Sequence, residues 1–393
     1  MRIGINALYW IPNRMGGTQT YFLELMRGLL RVERTHTYVV LLNAEGAKSF
    51  PIRDARITVV VSPASGRNRF ARMLWENFGM NRVLRVQHVD LLHSLGYLSP
   101  LRVSVPTVAT ILDMIHYLFP EGIERSKLLL WKRLLPLTVR SADALVAISR
   151  SGRRDIIAFF PSISQKVISI PLAVDHARFT PGTVWLPGAP ASGESIVLAV
   201  ASVATHKNIG VLLQAFAMLC GRFPLARLRL VGQSGTATAS LTQQILELGL
   251  SSRVEFTGRV SDDALVECYR TAVVLVVPSL YEGFGLPVLE AMASGCPVIA
   301  SNVSSLPEVA GDAALLFDPH DANALSQHLA DVLGSTELQE QLRARGLRNA
   351  AQFTWDHTAA ATLDVYESVL DGTVQLRADF DSFSETVGGV RVT

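Results

Sequence analysis

Short apolar runs rich in β-branched residues recur along this chain, separated by amphipathic stretches, and this alternation constrains the fold more than any other feature. Ile3–Ile5, Tyr38–Leu42, Ile57–Val61, Leu91–His93, Thr107–Thr110 and Ala144–Ile148 read as buried strands in the first half. Ile196–Val200, Arg227–Val231, Val254–Thr257, Val273–Pro278 and Val298–Ala300 continue the pattern in the second. Thr18–Arg31, Ile209–Leu219 and Leu241–Leu248 carry apolar residues at helical spacing. Strands apolar on both faces belong to parallel sheets covered on both sides. Their alternation with helices predicts an α/β chain of doubly wound, Rossmann-like sheets.

The pattern stops once. From Phe179 onward Pro181, Gly182, Pro187, Gly188, Pro190 and Gly193 interrupt both periods, so 179–194 reads as a linker. It separates a first domain, 1–178, from a second, 195–355, and the two are expected to face each other across a cleft. A helix at about 356–370 is expected to pack back on the first domain, and the tail 371–393 has little apolar periodicity. Charge changes sign near the same place. Residues 1–180 hold 24 Lys and Arg against 12 Asp and Glu, whereas 181–393 hold 12 against 22. The formal net charge of +2 hides this, and the two domains are expected to meet different partners.

With 49% hydrophobic and 18% charged residues, the chain is far from a disordered composition. Cys220, Cys268 and Cys296 are few, odd in number and widely spaced, which argues against a disulfide framework or a cysteine zinc site. Met1 leads straight into a strand, unlike a secretory signal, and no apolar run reaches the ~18 residues of a membrane span. The expectation is a cytoplasmic chain, able to rest on the inner face of the membrane.

The stretch Pro278–Ser301 is the most informative. Strand Val273–Pro278 runs into a turn with Glu282, Gly283 and Gly285, and Pro287 then opens a helix. In open α/β sheets ligands sit beyond the carboxyl ends of the strands. Glycines there admit a ligand to the backbone, and a helix N-terminus favours an anion such as a diphosphate. Glu290, eight residues after Glu282, puts a second carboxylate about one turn into that helix. Taken singly, each glutamate reads more simply as a solvated turn or helix-surface residue. Met15-Gly16-Gly17-Thr18, between the first strand and first helix, is a weaker signal of the same kind, since glycine pairs mostly make turns.

The run E-G-F-G-L-P-V-L-E-A-M-A-S-G-C-P-V-I-A-S, Glu282–Ser301, resembles the E-x7-E signature of retaining glycosyltransferases of family 4, the group 1 glycosyltransferases of GT-B fold. The resemblance continues through Asn302–Val309 and Gly311–Ala314, through Phe256–Ser261 and through Ile170–Asp175, and residues 1–370 fit it. It implies that Glu282 contacts donor-sugar hydroxyls and that Gly283, Phe284, Gly285 and Leu286 lie near sugar and phosphate. It implies that Glu290 binds the ribose and that Gly258, Arg259 and Val260 border the base. Lys207 matches the family's diphosphate-binding lysine, and Lys207 and Glu282 are the implied catalytic pair. Gly16 and Gly17 match a loop that approaches the donor phosphate and the acceptor. Asp113 and His116 are the acceptor-side candidates.

Two departures stand out. Ala201-Ser202 replaces a Gly-Arg or Gly-Thr pair, leaving Ser202 among the donor-binding positions, and His206 beside Lys207 reads as an exposed loop residue. Leu112 stands where related chains carry a histidine near the donor sugar, within Thr110–His116 ahead of Phe119-Pro120-Glu121. The motif Asp379-Phe380-Asp381 lies in the tail and reads as chance. No zinc motif, P-loop or dinucleotide fingerprint is present, and no metal or cofactor is expected.

Arg67, Arg69, Arg72, Arg82 and Arg85 flank Trp75 and Phe78, while Arg125, Lys127, Lys132 and Arg133 surround Leu128–Trp131. Such patches suit anionic lipid headgroups, and equally a solvated helix face. Nucleic acid is not an expected partner, since no binding motif appears. The resemblance implies a nucleotide-sugar donor, guanosine diphosphate mannose first, and a glycan or lipid-linked acceptor in surface polysaccharide synthesis. Its rivals are a weak or inactive relative that supports a partner transferase, and a GT-B epimerase or phosphorylase.

Overall fold

The computed structural model describes residues 1–12, 16–66, 68–122, 124–182 and 193–374. Most of the expected linker, the tail beyond 374 with Asp379 and Asp381, and Met15 and Arg67 lie outside the described residues. By its internal contacts the chain divides into two compact units. Unit 1 comprises Met1–Leu118, Glu124–Leu172 and the chain from Trp355; unit 2 comprises Phe119–Ile123 and Ala173–Thr354.

Unit 1 is built on a seven-stranded parallel sheet. Its strands are β1 (Arg2–Asn6), β2 (Thr37–Leu42), β3 (Ile57–Val61), β4 (Leu91–Ser94), β5 (Thr107–Ile111), β6 (Ala144–Ala147) and β7 (Val167–Ser169), ordered β3-β2-β1-β4-β5-β6-β7. Unit 2 holds six more, β8 (Ser195–Val200), β9 (Ala226–Val231), β10 (Val254–Gly258), β11 (Val274–Val277), β12 (Val298–Ser301) and β13 (Leu315–Phe317), ordered β10-β9-β8-β11-β12-β13. In both sheets the strand order reverses beside the first strand, at β1/β4 and at β8/β11. Such a reversal opens a crevice at the carboxyl edge.

The strands expected from sequence are present, with ends shifted by a residue or so. The edge strands β7 and β13 were not expected. Each has three residues, too few for a period to show. Burial explains the rest: Ile3, Ile5, Val39–Leu42, Leu91 and Leu92 are inaccessible to solvent, as are Val197, Leu198, Val274, Leu275, Val298 and Ile299. Each such side chain contributes about 1.5–3 kcal/mol relative to exposure.

In unit 1 the helix Gly17–Val32 packs along the chain's last described helix, Trp355–Leu370. Gly28 makes this possible, because a Cβ there would lie 2.6 Å from the Trp355 carbonyl oxygen. Behind that pair, Tyr366 Oη lies 2.7 Å from His93 Nδ1, and His93 Nε2 lies 2.8 Å from Thr110 Oγ1. The Tyr21 hydroxyl completes the chain, 2.8 Å from Thr110 Oγ1. All four side chains are buried, and burial pushes the His93 imidazole down to about 3, so it is held neutral. In unit 2 the helix Ile209–Leu219 and the helix Ala322–Gly334 cover one core, with Phe216, Leu212, Leu325 and Leu329 at its centre. No helix among the described residues is long and apolar enough to cross a membrane.

Candidate active site

The loops after β8 and β11 flank the crevice of unit 2. After β8 the chain makes a tight turn, Thr205–Lys207, and Asn208 enters the next helix in the left-handed region at φ +53°. Asparagine tolerates this conformation better than most residues. Its side-chain amide donates to the carbonyl oxygens of Pro278 (3.0 Å) and Pro319 (2.8 Å), fixing Lys207 against the loop after β11. The Leu280 amide, donating to the His206 carbonyl at 2.8 Å, makes a second tie.

Lys207 Nζ donates to Glu282 Oε1 at 2.7 Å, and Ser279 Oγ donates to the same oxygen at 2.7 Å. The two charged side chains are only 18% and 12% exposed, so the pair is more than a surface salt bridge. The Glu282 amide donates to Ser304 Oγ at 3.0 Å, and Ser305 Oγ contacts the carbonyl oxygens of Glu282 and Phe284 at 2.9 and 2.8 Å. Two serines from the loop after β12 thus hold the turn that presents Glu282. Gly285 then caps the helix Leu286–Ala293 at φ +104°, ψ 43°, a conformation open to glycine. Pro287 sits in its first turn, which no side chain caps. The uncapped amides of that first turn offer the positive potential that suits a diphosphate.

Glu290 is not the surface glutamate that its spacing alone would suggest. Tyr269, from the helix Asp262–Thr271, donates its hydroxyl to Glu290 Oε2 at 2.8 Å. Burial pushes the Glu290 carboxyl up to about 7, against the Tyr269 hydrogen bond and the Arg178 guanidinium, which pull it down. His206 also departs from expectation. It is half-buried, with its ring 6.3 Å from that of Phe119, and burial first, then Lys207, pushes it down to about 4.

The remaining expected positions are more dispersed. Gly258, at φ +70°, ends β10, with Arg259 exposed and Val260 half-buried, two strands away from β8. Ser202 is exposed just beyond β8. In unit 1, exposed Gly16 and Gly17 open the first helix. Asp113 accepts from the Ile115 amide at 3.0 Å, and Leu112 is buried. His116 is buried too, its ring stacked 4.3 Å from Trp131 and edge-on to Tyr97. Among the described residues no group of three or more His, Cys, Asp or Glu is arranged to hold a metal ion. Sequence reasoning missed the roles of Ser279, Ser304, Ser305, Asn208 and Tyr269. The first four lie in the turns it had singled out, but Tyr269 reaches Glu290 from another helix with no local signal.

Comparisons with known proteins bear on this arrangement. Residues 15–178 match the family model described as Glycosyltransferase Family 4, and residues 188–348 match the one described as Glycosyl transferases group 1. O-antigen chain mannosyltransferase B of Escherichia coli is 32% identical over 275 residues, covering 66% of this chain and 70% of that protein. The chain spans 29% to 55% of the length of seven further curated relatives. A sucrose-phosphate synthase from Thermosynechococcus elongatus aligns with a TM-score of 0.75 at 22% identity, over 95% of this chain and 100% of that one. Anabaena HepE, solved with UDP-glucose, aligns with a TM-score of 0.70 at 19% identity, over 94% and 100%. At such identities these two structures speak for the fold, which is GT-B.

Proposed function

The chain belongs to glycosyltransferase family 4, the group 1 glycosyltransferases, and on that premise we propose that unit 2 binds a nucleotide-sugar whose sugar is transferred, with retention, to an acceptor hydroxyl. The observation that carries this reading is the Lys207–Glu282 pair at the β8/β11 crevice, next to the uncapped helix Leu286–Ala293. Lys207 and the first-turn amides face the diphosphate, Glu282 accepts from sugar hydroxyls, and Glu290 accepts from the ribose. The glycine turns at Gly258 and Gly285 let the donor approach the backbone.

Chemistry then follows from charge. The bond between the anomeric carbon and the diphosphate oxygen breaks, and a bond from the same face to the acceptor oxygen forms. The departing phosphate oxygen takes the acceptor proton. The protein contributes positioning and stabilisation of the developing negative charge rather than a covalent intermediate. Lys207 and helix amides supply that potential without a metal.

HepE, bound to UDP-glucose, supports the class of donor, and O-antigen chain mannosyltransferase B supports mannose as the sugar. Guanosine diphosphate mannose is therefore the first donor to try, with a glycan or lipid-linked glycan of a surface polysaccharide as acceptor. The test is a thermal-shift screen of nucleoside diphosphates and nucleotide-sugars, without metal and with magnesium, followed by transfer assays with the sugar that binds. A rise in melting temperature for one base family, followed by transfer, supports the reading. Binding without transfer to any lipid or glycan acceptor would favour a partner-supporting relative, for which buried Leu112 and exposed Ser202 speak. No shift at all would overturn the donor site.

A further inference from the structure

One side of unit 1 carries an apolar stripe that the donor site does not use. Between β3 and β4 the chain forms a continuous helix from Arg69 to Val86, interrupted by a π turn at Trp75–Gly79, where the Met80 amide donates to the Trp75 carbonyl. Phe70, Leu74, Phe78, Arg82 and Val86, four residues apart, are all exposed, with Phe70 at 71% and Phe78 at 76%. In an uninterrupted α-helix a four-residue step drifts by about 40°, so Val86 would lie roughly 160° round from Phe70. The extra residue of the π turn takes back about 100°, which keeps the stripe on one side. The same turn aims Glu76 inward, where Asn6 donates to it at 3.3 Å.

A second helix shares this side. Met80 and Leu84 pack on Leu92 of β4, and Leu135 and Val139 pack on Ala109 and Ile111 of β5. Ser94 pairs with Ala109, and strand side chains alternate, so Leu92, Ala109 and Ile111 face the same way. The helix Arg125–Ser141 therefore lies on the same sheet face as the π-turn helix. It exposes Leu129 and Leu137 beside Lys132 and Arg133. Together the two helices hold nine Lys and Arg and one carboxylate, Glu76, which is buried.

We propose that this face of unit 1 docks on an anionic lipid bilayer, with Phe70, Leu74 and Phe78 entering the headgroup boundary and Arg82, Arg85, Lys132 and Arg133 meeting lipid phosphates. The charge pattern selects this occupant. Exposed aromatic and aliphatic side chains edged by cations, with no exposed carboxylate on either helix, match an anionic interface. A second copy brought face to face would oppose Arg82, Arg85, Lys132 and Arg133 with the same four cations.

The test uses the full chain and flotation with vesicles of phosphatidylcholine, with and without phosphatidylglycerol. Binding is expected with phosphatidylglycerol, weakening as salt rises. Phe70→Ser with Phe78→Ser is expected to lower that binding about tenfold or more. Arg82→Glu with Arg85→Glu is expected to abolish the preference for phosphatidylglycerol. Both variants should keep the wild-type melting temperature and nucleotide-induced shift, which separates this inference from the donor site. Absence of wild-type binding to anionic vesicles, or undiminished binding by the phenylalanine variant, would overturn it. So would a wild-type dimer that becomes monomeric in that variant without any vesicle binding.

Discussion

In unit 2 the crevice between β8 and β11 ends in Lys207 and Glu282, both charged and partly open to solvent. In unit 1 the crevice between β1 and β4 ends in Asn6 and Ser94, both buried and uncharged, with Asn6 Nδ2 3.4 Å from Ser94 Oγ. The strand order around the two is the same. What differs is what fills the opening: short turns rich in glycine and serine in unit 2, and the π-turn helix with Glu76 in unit 1. Topology offers the same opening twice, and the loop residues decide whether it stays polar and accessible.

Removing the cation from the open crevice should have the largest effect. Lys207→Ala is expected to reduce turnover roughly 10²–10³-fold, the loss typical of one preorganised charge-stabilising group. The denaturant midpoint should fall far less than the activity, because Ser279 still donates to Glu282 when the lysine is lost. Wild-type activity in that variant would erase the functional contrast between the crevices.

Titration separates the units next. Glu290 carries a folded value of about 7 against an ordinary 4.5, so the unfolded chain loses its proton first as pH rises. Its contribution to stability is intact below pH 4.5 and is lost as pH rises through 7, by about 3 kcal/mol. Glu290→Gln should flatten that fall, as read from urea midpoints across this range. His93 acts in the opposite sense. With a folded value of about 3 against 6.5, its contribution is present above pH 6.5 and is lost as pH falls toward 3. If Glu290→Gln left the pH profile unchanged, this opposition would fail.

Two smaller changes sharpen the comparison. Tyr269→Phe removes the hydrogen bond that lowers the Glu290 value. The Glu290 fall should then move to higher pH, and affinity for the nucleotide should weaken modestly in titration calorimetry. Tyr366→Phe leaves one His93 nitrogen without its buried partner, which should destabilise unit 1 by about 1–3 kcal/mol. Hydrogen exchange should detect this in β4 and β5 while the donor-induced thermal shift persists.

Much of unit 2 was legible in the sequence, because its candidate residues sit in a few contiguous turns. Glu282, Gly285, Pro287 and Glu290 span nine positions, and strand-to-helix geometry places them without long-range information. The half-buried setting of Glu290 was not legible, because Tyr269 comes from a neighbouring helix. Unit 1 hid more. Its π turn has no periodic signature of its own, and the stripe from Phe70 to Val86 becomes apparent only once the turn is counted. His93, Thr110, Tyr21 and Tyr366 form their network from four separate elements, and no local pattern joins them. Strands β7 and β13 were too short to announce themselves.

The helix Trp355–Leu370 also sets an order of assembly. Tyr366 follows its partner His93 by 273 residues, and all of unit 2 lies between them in the chain. At about 5–20 residues per second, a ribosome needs tens of seconds to cover that interval. Throughout it the face of the first helix around Gly28 waits uncovered, and Ala173–Thr354 is complete before the helix Trp355–Leu370 arrives. The second half of the sequence can therefore finish folding before the first, and a chain stopped short of Trp355 would release a finished unit 2 tethered to an unfinished unit 1.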